Sequence, residues 1–295
     1  MKKQLIFRGA ATALITPLTS AGVDYEALGS LIDWQIEQGI DALVIAGTTG
    51  EGATLTYDEH QEVIRYSVER AAGRVPIIAG SGSNDTNRAI TLSRFSCDAG
   101  ADAMLVVTPY YNKATQKGLI AMYNAIADAV DKPIILYNVP SRTGVGIEPS
   151  TYLALADHPN IVGIKEANGN ISKIVETARL VGDKLAIYSG NDDQVVPILS
   201  MGGSGVISVL SNVMPAQTHE MCQRFFDGDL AGAAKLQMEY LPLINALFSE
   251  VNPIPVKAAM AAMGWCENYL RMPLTRMEPE HWEKLKTIMQ AHKLI

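Results

Sequence analysis

The 295-residue sequence has no cluster of basic side chains, and its formal net charge is −7. Nucleic-acid binding needs such a cluster, so the composition argues against a nucleic-acid partner. No apolar run reaches the roughly 18 residues of a membrane span, and Arg8 and Gly9 interrupt the apolar residues near the start. We therefore expect a cytoplasmic protein with neither a membrane segment nor a secretion signal.

Cysteine is also scarce. Cys97, Cys222 and Cys266 are odd in number and widely spaced, which favours free thiols in a reducing compartment. The five histidines show neither HxH nor HExxH spacing, so no metal site is expected. We interpret Asp192-Asp193 as a helix N-terminal turn rather than as a pair of metal ligands.

Short apolar runs alternate with segments of helical periodicity along most of the chain. Eight runs are typical of parallel strands buried on both faces: Ala11–Ile15, Ala42–Ala46, Val75–Ala79, Ala103–Val107, Pro133–Tyr137, Ile161–Lys165, Leu185–Ser189 and Gly205–Val209. Thr56-Tyr57-Asp58-Glu59 forms the capping-box pattern that opens one of the intervening helices. The alternation predicts an α/β fold, the (β/α)8 TIM barrel. A doubly wound open sheet is the alternative, but it needs fewer strands and a GxGxxG turn, which the sequence lacks.

No strand pattern appears from about Asp229 onward. Three segments there have helical character: Leu230 to Glu250, Pro253 to Met263 and Pro279 to Ala291. We therefore expect a catalytic barrel over residues 1–228 and a C-terminal helical extension over residues 229–295. The added helices either cap the barrel or support oligomer contacts and close over a pocket mouth; we favour capping, because helical additions to barrels are common.

In a barrel of this kind the chemistry lies at the carboxyl ends of the strands. Lys165 ends an apolar run, where burial lowers the pKa of an amine and makes it a nucleophile for carbonyls. Gly163 has the same strand parity and is expected to leave room above the lysine. The alternatives are a structural pair with Glu166 or a side chain that reaches solvent.

Three further strand ends carry polar groups. Tyr137 can shuttle protons, and Arg142 on the following loop can bind a carboxylate through two hydrogen bonds. Thr48 and Thr49 stand in a glycine-flanked turn that suits a small carboxylate. Each also has an ordinary interpretation: a core aromatic, a surface charge, and a tight turn that needs glycine. Tyr110-Tyr111 faces either a pocket or a neighbouring subunit.

Together these residues resemble the dihydrodipicolinate synthase family, within the N-acetylneuraminate lyase superfamily. The similarity extends from Gly9 to the C-terminal helices. The motifs that carry it are Gly47-Thr48-Thr49-Gly50-Glu51, Pro109-Tyr110-Tyr111-Asn112, Tyr137-Asn138-Val139-Pro140-Ser141-Arg142-Thr143 and Gly163-Ile164-Lys165-Glu166-Ala167. The resemblance implies a lyase that uses no metal or organic cofactor. It also implies a homotetramer, arranged as a dimer of dimers.

The resemblance further implies a reaction in lysine and diaminopimelate biosynthesis. Pyruvate would form an imine on Lys165, tautomerise to an enamine and attack L-aspartate 4-semialdehyde. Tyr137 would relay protons together with Thr48 and with Tyr111, which reaches a neighbouring subunit's site.

It also assigns substrate contacts. Thr49 would hold the pyruvate carboxylate and Arg142 the carboxylate of the semialdehyde. Gly190 and Ile207 would line the pocket through their backbone groups.

The sequence departs from the family pattern in one place, a regulatory pocket. Lysine-inhibited members bind lysine through a glutamate, two histidines, an asparagine and a tyrosine. His60, Asn84 and Tyr110 match that set, but Tyr57 replaces a histidine and Arg88 replaces the glutamate. A cation facing the lysine ammonium repels it, so we expect weak or absent inhibition by lysine.

Two other functions remain open at this point. A sister aldolase, such as N-acetylneuraminate lyase or a 2-keto-3-deoxy-sugar-acid aldolase, would keep Lys165 and Tyr137. Arg142 favours a carboxylated aldehyde over a polyhydroxylated sugar. A catalytically silent barrel that serves as a sensor or scaffold is the remaining alternative, although the sequence retains every expected group.

Overall fold

Ten strands lie within residues 3 and 5–295, which are the residues described by the computed structural model. They are β1 (Gly9–Ala13), β2 (Leu18–Thr19), β3 (Gly22–Val23), β4 (Ala42–Ile45), β5 (Ile77–Gly80), β6 (Ala103–Val107), β7 (Ile134–Asn138), β8 (Ile161–Glu166), β9 (Ala186–Ser189) and β10 (Gly205–Ser208). Strands β2 and β3 form a small antiparallel hairpin. The other eight are parallel and close into a barrel, in which each strand pairs with its neighbours along the chain and β1 pairs with β10. The predicted (β/α)8 barrel is confirmed.

Twelve helices accompany the strands in the same described residues. They are α1 (Tyr25–Glu37), α2 (Tyr57–Ala71), α3 (Thr86–Asp98), α4 (Gln116–Asp128), α5 (Pro140–Thr143), α6 (Pro149–Leu155), α7 (Ile171–Val181), α8 (Val195–Ser200), α9 (Pro215–Phe226), α10 (Leu230–Leu247), α11 (Ile254–Ala262) and α12 (Pro279–Ala291). The predicted capping box is present, because Thr56 and Glu59 exchange side-chain-to-backbone hydrogen bonds at the start of α2. None of these helices combines the length and apolar character needed to cross a bilayer.

The first strand begins and ends two residues earlier than the sequence pattern predicted. Leu14 still donates to Val44 as the ladder would require, but the amide of Ile15 turns to the Asn212 side chain, at 3.0 Å. The apolar run therefore extends beyond the end of the strand. At the other end Gly9 pairs with Gly205, where a Cβ on Gly205 would lie 1.9 Å from the Gly9 carbonyl oxygen. The barrel closes at a point that only glycine fits.

The C-terminal helices share a core with the barrel. Leu243 of α10, Val256 of α11 and Leu285 of α12 are buried in the same hydrophobic cluster as Leu28 and Leu43. The boundary between residues 228 and 229 stays a prediction, since residues from both sides of it share this core.

A buried ion pair joins α11 to the loop after β4. Lys257 Nζ donates to Glu51 Oε1 at 2.5 Å, and both side chains are almost completely excluded from solvent. The Lys257 ammonium also donates to the Tyr269 carbonyl, and the Arg271 amide donates to the second Glu51 oxygen. Each charged group therefore makes two hydrogen bonds, which helps to offset the cost of burying the pair.

Removing one partner of this pair should strongly destabilise the protein. Lys257→Met is expected to lower the free energy of unfolding by about 3–5 kcal/mol, because Glu51 would stay buried without its counter-ion. Denaturant unfolding followed by circular dichroism measures the change. The matched control is Lys284→Met, which breaks an exposed pair with Glu280 and should leave stability unchanged. Equal effects of the two substitutions would contradict the role given to the buried pair.

Candidate active site

Lys165 and Tyr137 are neighbours at the carboxyl end of the barrel. They are register partners on β8 and β7, and the Lys165 Nζ lies 4.4 Å from the centroid of the Tyr137 ring. Both side chains are buried, with 5% and 7% of their surface exposed. Neither of the ordinary interpretations of Lys165 applies, because the amine reaches neither Glu166 nor bulk solvent. Glu166 is bound instead by Asn138 and Tyr152.

Burial changes the acidity of both groups. It lowers the pKa of Lys165 to about 7, the nearby charge of Asp192 opposes this shift, and that of Arg142 adds to it. A substantial part of the amine is therefore unprotonated at neutral pH, which a nucleophile requires. Burial also raises the pKa of the Tyr137 hydroxyl, against smaller lowering effects of Arg142 and a hydrogen bond with Thr48. Tyr137 thus keeps its proton at neutral pH.

The space beside Lys165 comes from Gly190 rather than from Gly163, so the expectation for Gly163 was wrong. A Cβ on Gly163 would meet the Ala186 carbonyl and the Tyr188 ring, which already fill that side. A Cβ on Gly190 would come within 3.2 Å of the Lys165 Cγ. Gly190 is therefore required where the chain crosses the lysine stem.

The two threonines in the turn after β4 have different surroundings. Thr48 is exposed at the barrel mouth, whereas Thr49 is buried and its Oγ1 accepts a hydrogen bond from Asn252 at 2.9 Å. The flanking glycines are sterically required as well, since a Cβ on Gly52 would lie 2.1 Å from the Ala46 carbonyl oxygen. The glycine-dependent geometry of this turn is therefore confirmed, and the carboxylate site stays a prediction.

A cavity of about 410 Å3 opens at this end of the barrel. Its walls include Thr48, Tyr137 and Arg142, which the sequence had singled out, and Asn252, which it had not. The Arg142 guanidinium is exposed and donates to the Asn252 carbonyl at 3.3 Å. The remaining predicted groups lie off the cavity wall: Lys165, Thr49, Gly190 and Ile207. Ile207 is fully buried in the barrel interior, in the same cluster as Tyr137.

The two adjacent tyrosines after β6 behave differently. Tyr110 is partly exposed and lines the cavity. Tyr111 is 91% exposed, and its backbone has a φ of 70°. Within a single chain Tyr111 therefore does not meet Tyr137 or Thr48.

Of the five predicted regulatory residues, His60, Arg88 and Tyr110 line the same cavity, whereas Tyr57 and Asn84 do not. His60 is buried there, its Nε2 lies 2.8 Å from the Gly80 carbonyl oxygen, and burial lowers its pKa. The charge of Arg88 lowers the His60 pKa further. Asn84 accepts a hydrogen bond from Asn112 through its backbone, and Tyr57 is partly exposed at the start of α2.

One carboxylate and one amide near the site were not predicted from the sequence to be part of it. Asp192 begins a short 3-10 turn, as predicted for a helix start, but its buried carboxylate also accepts from the amides of Val209 and Leu210. Asn252 lies between α10 and α11, and no periodicity or motif of its segment points to a site. Its only signal is an asparagine before a proline in a loop.

The parallel barrel and the polar groups collected at the carboxyl ends of its strands define a (β/α)8-barrel enzyme. The model of the dihydrodipicolinate synthetase family matches residues 6–292. The chain belongs to the dihydrodipicolinate synthetase family.

Individual relatives agree along the whole length. The 4-hydroxy-tetrahydrodipicolinate synthase of Thermoanaerobacter sp. (strain X514) is 51% identical over 291 residues, which is 98% of each chain. That of Lachnoclostridium phytofermentans is 54% identical over 292 residues, or 98% of this chain and 99% of its own. The crystal structure of the Thermotoga maritima dihydrodipicolinate synthase superposes with a TM-score of 0.96 at 42% identity, covering 99% of this chain and 100% of that one.

Proposed function

We propose that this chain condenses pyruvate with L-aspartate 4-semialdehyde through a Schiff base on Lys165, the 4-hydroxy-tetrahydrodipicolinate synthase reaction. The chain is a lyase, and the reaction belongs to cytoplasmic lysine and diaminopimelate biosynthesis. The observation that carries the proposal is the buried amine of Lys165, whose pKa is lowered to about 7 beside the Tyr137 ring. The named relatives support the choice of substrates.

The reaction follows from the acidity of these two groups. The neutral Lys165 amine attacks the pyruvate ketone, and loss of water gives an iminium ion. Loss of a methyl proton gives an enamine, which attacks the aldehyde carbon and forms the new C–C bond. Cyclisation of the product through its own amine then releases Lys165. Tyr137 supplies and accepts the protons, with Thr48 as its hydrogen-bonding partner.

The two substrate carboxylates have separate partners in this proposal. Thr49 holds the carboxylate of pyruvate, with Gly190 and Ile207 contributing backbone groups. Arg142, exposed at the cavity mouth, receives the carboxylate of the semialdehyde. Its guanidinium has one donor on Asn252 and others available for a two-point contact.

Tyr111 completes the relay only in an oligomer. Its side chain extends into solvent in the single chain, so we place it in the site of a neighbouring subunit. This contact belongs to a homotetramer built as a dimer of dimers. Exposed aromatic residues of this kind are typical of subunit interfaces.

Borohydride trapping tests the Schiff base directly. Reduction in the presence of saturating pyruvate should add one pyruvyl group to Lys165, as located by peptide mass spectrometry. The initial rate of trapping should rise with pH through about 7, because only the unprotonated amine attacks and burial sets its pKa there. No adduct at any pH would exclude Schiff-base chemistry and would restore the silent barrel as the better hypothesis.

The choice of aldehyde separates the proposal from the sister aldolases. Product formation should be observed with aspartate semialdehyde and not with N-acetylmannosamine, because Arg142 presents a cation where a sugar needs neutral partners. A higher kcat/KM with N-acetylmannosamine would assign the chain to the sugar aldolases while leaving Lys165 in place.

Lysine should inhibit the enzyme weakly or not at all. Arg88 stands on the cavity wall where the lysine ammonium would bind, and the two cations repel. We expect half-inhibition at about millimolar lysine or above. Arg88→Glu reverses the charge and should increase sensitivity to lysine severalfold, with Arg88→Gln as the neutral control. Submillimolar inhibition of the unmodified enzyme would contradict this prediction.

A further inference from the structure

The segment between α10 and α11 reaches the candidate site at Asn252. This side chain is 5% exposed, and its Nδ2 donates to Thr49 Oγ1 at 2.9 Å. Its backbone carbonyl accepts from the Arg142 guanidinium at 3.3 Å. A single residue thus contacts both groups to which the proposed function gives the substrate carboxylates.

The direction of the first hydrogen bond has a chemical consequence. A threonine hydroxyl has one proton. Thr49 does not donate this proton to Asn252, because its oxygen is the acceptor in this hydrogen bond. The proton remains available for a carboxylate oxygen. The amide keeps this orientation although its Oδ1 is buried and accepts no hydrogen bond. The contact with Thr49 is thus the one hydrogen bond that this amide side chain makes among the described residues.

A second contact fixes the distance between Asn252 and the threonine turn. The buried pair of Lys257 with Glu51 joins α11, which begins two residues after Asn252, to the loop that carries Thr49. Neither Asn252 nor Thr49 can move far from the other while this pair is intact. The hydrogen bond is therefore held in place from both ends.

We propose that Asn252 is a positioning residue, which orients the Thr49 hydroxyl toward the pyruvate carboxylate and ties that site to Arg142. The inference rests on the proposed function, in which Thr49 and Arg142 bind the two carboxylates. It gives the C-terminal helices a role in substrate binding, whereas the sequence had favoured simple capping.

Two substitutions at Asn252 distinguish this role from a structural one. Aspartate has nearly the shape of asparagine but can only accept, so it would take the Thr49 proton and repel the pyruvate carboxylate. Alanine leaves the Thr49 proton available. At pH 8 we expect Asn252→Ala to raise the pyruvate KM between about twofold and tenfold, and Asn252→Asp to raise it more. A purely structural role would instead lower the free energy of unfolding in both variants and change the apparent constants of pyruvate and of the aldehyde alike.

A double-variant cycle with Thr49→Val gives an independent measurement. If Asn252 acts through the Thr49 hydroxyl, Asn252→Ala should add little to the pyruvate KM once that hydroxyl is gone. Full additivity of the two substitutions would overturn the inference. Borohydride trapping in the same preparations distinguishes failure of the Asn252 inference from failure of the proposed function. A pyruvyl adduct with the wrong order of KM values overturns the Asn252 role alone, whereas no adduct in the wild-type enzyme overturns the proposed function and this inference with it.

Discussion

Replacing Lys165 with alanine should lower kcat by at least about a thousandfold and abolish the borohydride adduct. In the proposed reaction this amine first attacks a ketone, and no later step can occur without the covalent bond. The fold should survive, because the substitution removes a buried amine whose desolvation is costly. A spectrophotometric assay of product formation, together with the unfolding curve, measures both effects.

Two control variants make the result specific to the amine. Lys165→Arg keeps a cation but replaces the nucleophile with a guanidinium that does not deprotonate, so it should be as inactive as alanine. Lys173→Ala removes an exposed lysine that pairs with Glu148, and it should retain the wild-type rate. A Lys165→Ala enzyme that turns over normally would refute the Schiff-base assignment.

Replacing Arg142 with alanine should weaken the use of the aldehyde far more than the use of pyruvate. The loss in kcat/KM for aspartate semialdehyde should be about 10- to 100-fold, as expected for charge-assisted hydrogen bonds to a carboxylate. Steady-state kinetics with each substrate varied in turn measures the two apparent constants. Arg142→Lys should be intermediate, because it keeps the charge and loses the planar fork.

The pH of this experiment matters, because Arg142 also acts on Lys165. Its charge helps to lower the Lys165 pKa, so removing it should raise that pKa and decrease the neutral fraction of the amine at pH 7. Kinetics well above pH 7 remove this indirect effect and isolate binding of the aldehyde. Arg94→Ala, an exposed arginine on α3 bound to a backbone carbonyl, is the matched control. Equal losses for both substrates at high pH would argue against a carboxylate contact.

The sequence predicted the barrel because buried parallel strands leave a strong local signal. Each strand is a near-continuous apolar run, and a lysine at the end of such a run stands out even in one sequence. The predicted strand bounds were wrong where buried apolar residues continue beyond the end of a strand. Leu14 and Ile15 are buried but lie beyond the end of β1, since Asn212 takes the Ile15 amide.

The contacts around the site were harder to predict because they are distant in sequence. Gly163 and Gly190 both flank Lys165, and only the packing of the neighbouring strand decides which of them leaves space. Asn252 reaches Thr49 across 203 residues, and no spacing pattern records such a contact. Tyr111 lies in a loop, where no periodicity in the sequence predicts the direction of a side chain.

The tie between Lys257 and Glu51, across 206 residues of sequence, also bears on how the protein matures. All eight barrel strands precede α11 in the chain and are synthesised before it, yet α11 holds the loop that carries Thr49. A nascent chain can thus contain every barrel strand before the Thr49 loop has its contact with α11. We therefore expect activity to appear only after α11 has docked against the barrel.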